Sequence, residues 1–114
     1  MVTPPEIVKK MAECFKALGD PTRLMIIKLL ASNMEDKICV VELAKMLDVT
    51  QPAASQHIKI LRNVGLLEPK KEGYHVYYYI NKDVLRAYKK DFNALYDMAF
   101  QKCKNYPDCG AYKK

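Results

Sequence analysis

Residues 50–61 read Thr50-Gln51-Pro52-Ala53-Ala54-Ser55-Gln56-His57-Ile58-Lys59-Ile60-Leu61, a stretch with two distinct faces. Thr50 suits an N-cap, because its hydroxyl can accept a hydrogen bond from a first-turn N–H that has no helical partner. Pro52 falls in the first turn, where its missing donor costs nothing. Ala54, Ile58 and Leu61 recur at steps of three and four and supply a core stripe. Gln51, Ser55, Gln56 and Lys59 fall away from that stripe and share the outward face. A glutamine amide can bridge N6 and N7 of adenine, and a serine hydroxyl donates or accepts at a base edge. No acidic residue lies between Val49 and Leu67 to repel phosphate, while Lys59, Arg62, Lys70 and Lys71 can neutralise it. On a generic amphipathic helix the same side chains would be ordinary solvated residues, so the neighbouring segments have to decide.

Upstream, Val40, Leu43, Ala44 and Leu47 mark a short helix, and Asp48 and Val49 form the turn into Thr50. Downstream, the helix closes at Gly65. Leu66 to Lys70 and His75 to Ile80 then read as two strands joined by Lys71, Glu72, Gly73 and Tyr74, with Val76, Tyr78 and Ile80 alternating against Tyr77 and Tyr79. Two helices across a tight turn, the second polar outward and followed by a basic hairpin, describe a winged helix-turn-helix. The fold class is therefore mainly α with a small two-stranded β-wing.

The flanks complete it. Pro4 and Pro5 start a helix carrying Ile7, Val8, Met11, Cys14, Phe15 and Leu18 and ending at Gly19. Asp20 caps a second helix with Pro21 in its first turn, running to about Ser32, with Leu24, Ile27, Leu30 and Ala31 on its expected buried face; Asn33 to Lys37 form a loop. Asn81 caps a last long helix in which Leu85, Tyr88, Phe92, Leu95 and Ala99 repeat, widened by Val84, Tyr96 and Met98. That stripe is more apolar surface than one small domain needs. Beyond Cys103, Asn105 to Gly110 with Pro107 cannot continue a regular helix. The expected organisation is one domain over residues 1–104 and a flexible tail over 105–114.

At 114 residues and 50% hydrophobic, the chain suits a single core. No apolar run exceeds Val76 to Ile80, far short of the roughly 20 residues that span a bilayer, so no membrane role and a cytoplasmic location are expected. The net charge of +6 suits an anionic partner, and nucleic acid fits better than a membrane surface because no polybasic tail or strongly basic amphipathic helix is present. In a reducing compartment the four cysteines, Cys14, Cys39, Cys103 and Cys109, are packing residues, metal ligands or sensors rather than disulfides. Catalysis is not expected, since His57 and His75 are the only imidazoles and neither has a Cys or Ser partner by motif.

The chain resembles the arsenic-repressor-like (ArsR/SmtB) family of winged helix-turn-helix regulators. The resemblance rests on Ala17-Leu18-Gly19-Asp20-Pro21-Thr22-Arg23-Leu24, on Val41-Glu42-Leu43-Ala44, on residues 50–61 with their Ser55, His57 and Leu61 spacing, and on Gly65-Leu66-Leu67. It spans about residues 6–100. It implies a sequence-specific regulator, usually a repressor, that binds double-stranded operator DNA as a homodimer joined through its first and last helices. Ile7, Met11, Phe15, Tyr88, Phe92, Leu95 and Ala99 would then line the two-fold interface. Thr50, Gln51, Ser55, Gln56, His57, Lys59, Arg62, Lys70, Lys71, Tyr74 and His75 are the candidate DNA contacts. The family's wing often carries Gly-Arg at its tip, whereas this chain has Gly73, Tyr74 and His75.

Many relatives release DNA when a metal or thiol-directed signal arrives, and here the spacing departs. The family's metalloid box reads Leu-Cys-Val-Cys-Asp-Leu; this chain has Ile38-Cys39-Val40-Val41-Glu42-Leu43, with one thiol of the two. The family's site on the last helix needs Asp-x-His, and Asp91 is followed by Asn93, with Lys104 beyond. Cys103 and Cys109, with Cys14 on a helix expected to pack nearby and Cys39, could still take As(III), Cd(II) or Zn(II), or oxidise to a disulfide. Two alternatives stand beside the sensor: a regulator without an inducer site, with the cysteines as small buried hydrophobes, and a winged-helix module that binds protein. Retention of Lys59 and Arg62 without an acid favours DNA over the protein-binding module.

Overall fold

The computed structural model describes residues 5–33 and 36–101. Five helices and one hairpin follow in the order α1 (Glu6–Leu18), α2 (Pro21–Ser32), α3 (Val40–Leu47), α4 (Gln51–Asn63), β1 (Leu67–Glu72), β2 (His75–Ile80) and α5 (Lys82–Gln101). Local chemistry sets most boundaries. The Asp20 carboxylate accepts from the backbone N–H of Thr22 at 2.8 Å and of Arg23 at 3.2 Å, with Pro21 in the first turn of α2. Thr50 Oγ1 accepts from Ala53 N–H at 3.2 Å, and Asn81 Oδ1 accepts from Val84 N–H at 3.2 Å, so α4 and α5 start on the same device. Between α3 and α4 the chain turns through Asp48 at φ 54°, a left-handed conformation that aspartate tolerates better than bulkier residues.

The core gathers Ile26, Leu43, Ile58, Leu61 and Leu66, all fully buried, around which Cys14, Ala17, Leu30, Ile38, Leu67 and Ile80 pack. Two expectations are corrected. On α2 the buried residues are Ile26 and Leu30, while Leu24 and Ala31 lie exposed. Leu24 to Ile27, Leu29 and Leu30 make this helix apolar nearly all round, so periodicity does not single out a face. The strands also extend further than turn propensity suggests. Pairing runs from Leu67↔Ile80 through Lys71↔Val76 to Glu72↔His75, leaving Gly73 and Tyr74 as a two-residue turn with Gly73 at φ 62°. A tight turn of that kind matches strand twist and draws Lys71 and Glu72 into the ladder.

Ile38 and Cys39 run along the other edge of β2, with Tyr78 N–H donating to Ile38 O at 3.0 Å and Cys39 bridging Tyr77. Gly65, at φ 80°, lets α4 pass into β1 close against α5, where an added Cβ would stand 3.4 Å from Val84 Cγ1. The Tyr88 hydroxyl donates to Val64 O at 3.0 Å and fastens α5 to the end of α4. Among the described residues no helix is long and apolar enough to cross a membrane. The expected boundary between residues 104 and 105, and the tail beyond it, lie outside the described residues.

Candidate nucleic-acid interface

The stripe Ala54, Ile58 and Leu61 is buried, so α4 is anchored in the core along one side. Gln51, Ser55, Gln56, Lys59 and Arg62 are exposed on the rest of its surface. Thr50 is engaged at its hydroxyl as the cap. Between α4 and the wing runs an open groove lined by Ser55, Lys59, Arg62, Asn63 and Tyr78 over the side of Ile58. Two cations, two hydroxyl-bearing side chains and an amide thus line one concave strip, a set suited to phosphate and base-edge contacts.

Strand register divides the wing residues between two faces. Directly paired residues share a face, so Lys71 and Val76 lie with Pro69 and Tyr78 on the side that borders the α4 groove. Lys70, His75, Tyr77 and Tyr79 lie on the opposite side. There Lys70 Nζ sits 5.3 Å from the centre of the Tyr79 ring, and it borders a second groove with the carboxylates Asp36, Glu68 and Asp83. His75 stacks on Tyr77 at 6.0 Å. Register therefore puts Lys71 on the wing face of Tyr78, and Lys70 and His75 on the other. Tyr74 stands fully exposed at the tip. Beside the wing, Lys37 Nζ pairs with Glu72 at 2.7 Å; this carboxylate raises the lysine's pKa, through its hydrogen bond first.

His57 occupies a different position from its neighbours on α4. It is half-buried, and its Nδ1 lies 3.2 Å from Nη1 of Arg23 on α2. Spacing singled out neither Arg23 nor the groove residue Asn63, although Arg23 belongs to the Asp20-Pro21-Thr22-Arg23 segment.

A second surface joins α1 and α5. Ile7, Phe15, Phe92 and Leu95 are about half exposed, and Ala99 is exposed further along α5. Phe15 meets Phe92 edge to face at 5.6 Å, and the aromatic row continues through Tyr96 at 6.3 Å and Phe100 at 4.8 Å. Met11 and Tyr88, expected in this row, turn inward: Met11 is buried, and the half-buried Tyr88 is spent on Val64. Desolvation, reinforced by nearby acidic groups, raises the Tyr88 pKa and keeps its hydroxyl a donor.

Among the described residues, Cys14 and Cys39 are both free thiols. Cys14 is buried among α1 core residues, and burial pushes its thiol above the ordinary value, which disfavours the thiolate. Cys39 is half-buried at the start of α3, its Sγ donating to Glu42 Oε1 at 3.2 Å. Cys103 and Cys109 lie outside the described residues. Among the described residues no three of His, Cys, Asp or Glu come together as a metal site.

Comparison with known proteins gives one consistent result. The family model described as bacterial regulatory protein, arsR family, matches residues 20–68, from the α2 cap to the first residues of β1. An uncharacterized HTH-type transcriptional regulator from Methanocaldococcus jannaschii is 47% identical over 68% of this chain and 85% of its own length. A cadmium resistance transcriptional regulatory protein CadC homolog from Staphylococcus aureus is 36% identical over 64% of this chain and 59% of its own length. Among solved structures, the homodimeric winged helix-turn-helix DNA-binding domain from Mycobacterium bovis is similar with a TM-score of 0.63 at 25% identity, covering 93% of this chain and 99% of that one.

Proposed function

Because the chain belongs to the ArsR family of DNA-binding transcriptional regulators and is not an enzyme, we propose that it works as a homodimeric repressor, seating two copies of α4 in successive major grooves of an operator. The observation that carries this reading is the anchoring of α4: its apolar stripe is buried, so Gln51, Ser55, Gln56 and Lys59 project from a rigid support. Gln56 and Ser55 read base edges, while Lys59, Arg62 and Lys71 neutralise phosphate. Tyr74 reaches the neighbouring backbone from the wing tip. Lys70 and His75, on the far wing face, take no part.

The half-exposed aromatic row on α1 and α5 supports association with a second copy, as does the homodimeric state of the similar Mycobacterium bovis domain. Two-fold symmetry places the half-sites about 34 Å apart. Repression follows by occluding the promoter. Footprinting on DNA upstream of the chain's own reading frame tests this: a palindromic protected site that Gln56→Ala weakens and shifts is the expected result. Protection that ignores every α4 substitution would overturn it.

The inducer is the finer part of the proposal. One relative is named for cadmium resistance, but Cys14 is buried in the core, Cys39 is engaged with Glu42, and neither belongs to a group of three metal-ligating side chains among the described residues. A thiol-directed signal would therefore act through Cys103 and Cys109. Replacing both by serine should abolish any release of DNA by arsenite, cadmium, zinc or a mild oxidant; an unchanged response in the double variant would exclude them.

A further inference from the structure

Arg23 sits in the first turn of α2, and its guanidinium reaches three elements at once. Nε donates to the Ala17 carbonyl and Nη2, at 3.5 Å, to the Lys16 carbonyl, which also accepts from the Gly19 N–H at 3.4 Å, so the guanidinium sits on the last turn of α1. Nη1 lies 3.2 Å from His57 Nδ1 on α4 and 4.0 Å from Asp20 Oδ2, the cap of its own helix. The Arg23 side chain is only 15% exposed, so these contacts are largely shielded from competing water.

The chemistry of this contact permits one arrangement. A guanidinium has donors and no acceptor and stays charged, so His57 Nδ1 must accept. A neutral imidazole that accepts at Nδ1 carries its proton on Nε2. We propose that Arg23 is a positioning residue for DNA recognition: it fixes His57 as the Nε2–H tautomer and ties α4 to the ends of α1 and α2. His57 then offers Nε2–H, on the far side of the ring, to an acceptor such as a backbone phosphate. Because Lys16 and Ala17 directly follow Phe15 of the aromatic row, the same side chain sets α4 against the helix proposed for dimerisation.

This inference rests on α4 being the DNA-binding helix, and its test keeps the two separable. In the free protein, ring nitrogen shifts of His57 should report a protonated Nε2 and a bare Nδ1; any other protonation pattern overturns the proposal without reference to DNA. A double-mutant cycle on one operator duplex supplies the functional arm. Arg23→Gln and His57→Ala should each weaken binding about tenfold, and the double variant should bind no more weakly than either. Wild-type affinity in folded Arg23→Gln, or losses that multiply, would overturn it. Should Arg23→Gln fail to fold, Arg23→Lys keeps a cation for the α1 carbonyls but cannot fork to His57; it should lose the tautomer signature and the affinity together, and keeping both would count against the proposal. A wild-type protein that binds no duplex would refute the DNA reading, while the nitrogen shifts would still decide the tautomer.

Discussion

Phe92→Ala tests the proposed association most sharply. Phe15 and Phe92 remain 47% and 44% exposed while touching each other edge to face, so each ring keeps nearly half its surface for a partner. A phenylalanine side chain covers about 150–250 Å² when buried, so the uncovered part of Phe92 is about 90 Å². At about 25 cal/mol per Å², covering it contributes about 2 kcal/mol per protomer. Two-fold symmetry doubles this to about 4 kcal/mol per dimer, roughly a thousandfold in Kd. Sedimentation velocity from nanomolar to high micromolar protein reads that shift directly. Met46→Ala, which trims an exposed apolar side chain on α3, should leave association unchanged. A folded Phe92→Ala that dimerises as tightly as the unaltered chain would refute the assignment of this face.

Other substitutions probe the remaining parts. Gln56→Ala should cost about 1–3 kcal/mol on the preferred duplex and relax base preference, read by competition binding. Lys71→Ala should weaken all duplexes alike and reduce the salt slope by about 1 per protomer, whereas Lys70→Ala, on the opposite wing face, should leave both unchanged. Gly65→Ala forces a side chain into the left-handed region against Val84 and should lower stability by about 1–2 kcal/mol in urea denaturation. The Asp20 carboxyl is held below its ordinary value, first by the Arg23 N–H. Its contribution is therefore present above the ordinary carboxylate range and lost as pH falls through the lowered value. Asp20→Asn should flatten that acid limb of the stability profile.

The helix that decides the fold was legible because its signals are local. Thr50, Pro52 and Gly65 bracket α4 within a residue or two, and the buried stripe is the one that spacing predicts. The wing needed register as well: which of Lys70 and Lys71 faces α4 depends on a two-residue turn that absorbs only Gly73 and Tyr74. On α2, uniform apolarity hid the buried face. Met11 and Tyr88 share the spacing of Phe15 and Phe92, and only packing shows that they turn inward. The contact between Arg23 and His57 joins residues 34 apart in sequence, a tertiary relation that no helical or strand period encodes.

The most direct test of the central claim is fluorescence anisotropy of the chain on its operator duplex across a range of salt concentrations. Lys59, Arg62 and Lys71 from two protomers should release counterions from six phosphates, giving a slope of about −5 in log affinity against log salt, with an unrelated duplex bound far more weakly. Affinity that stays flat with salt, or that is equal on the two duplexes, would contradict the account.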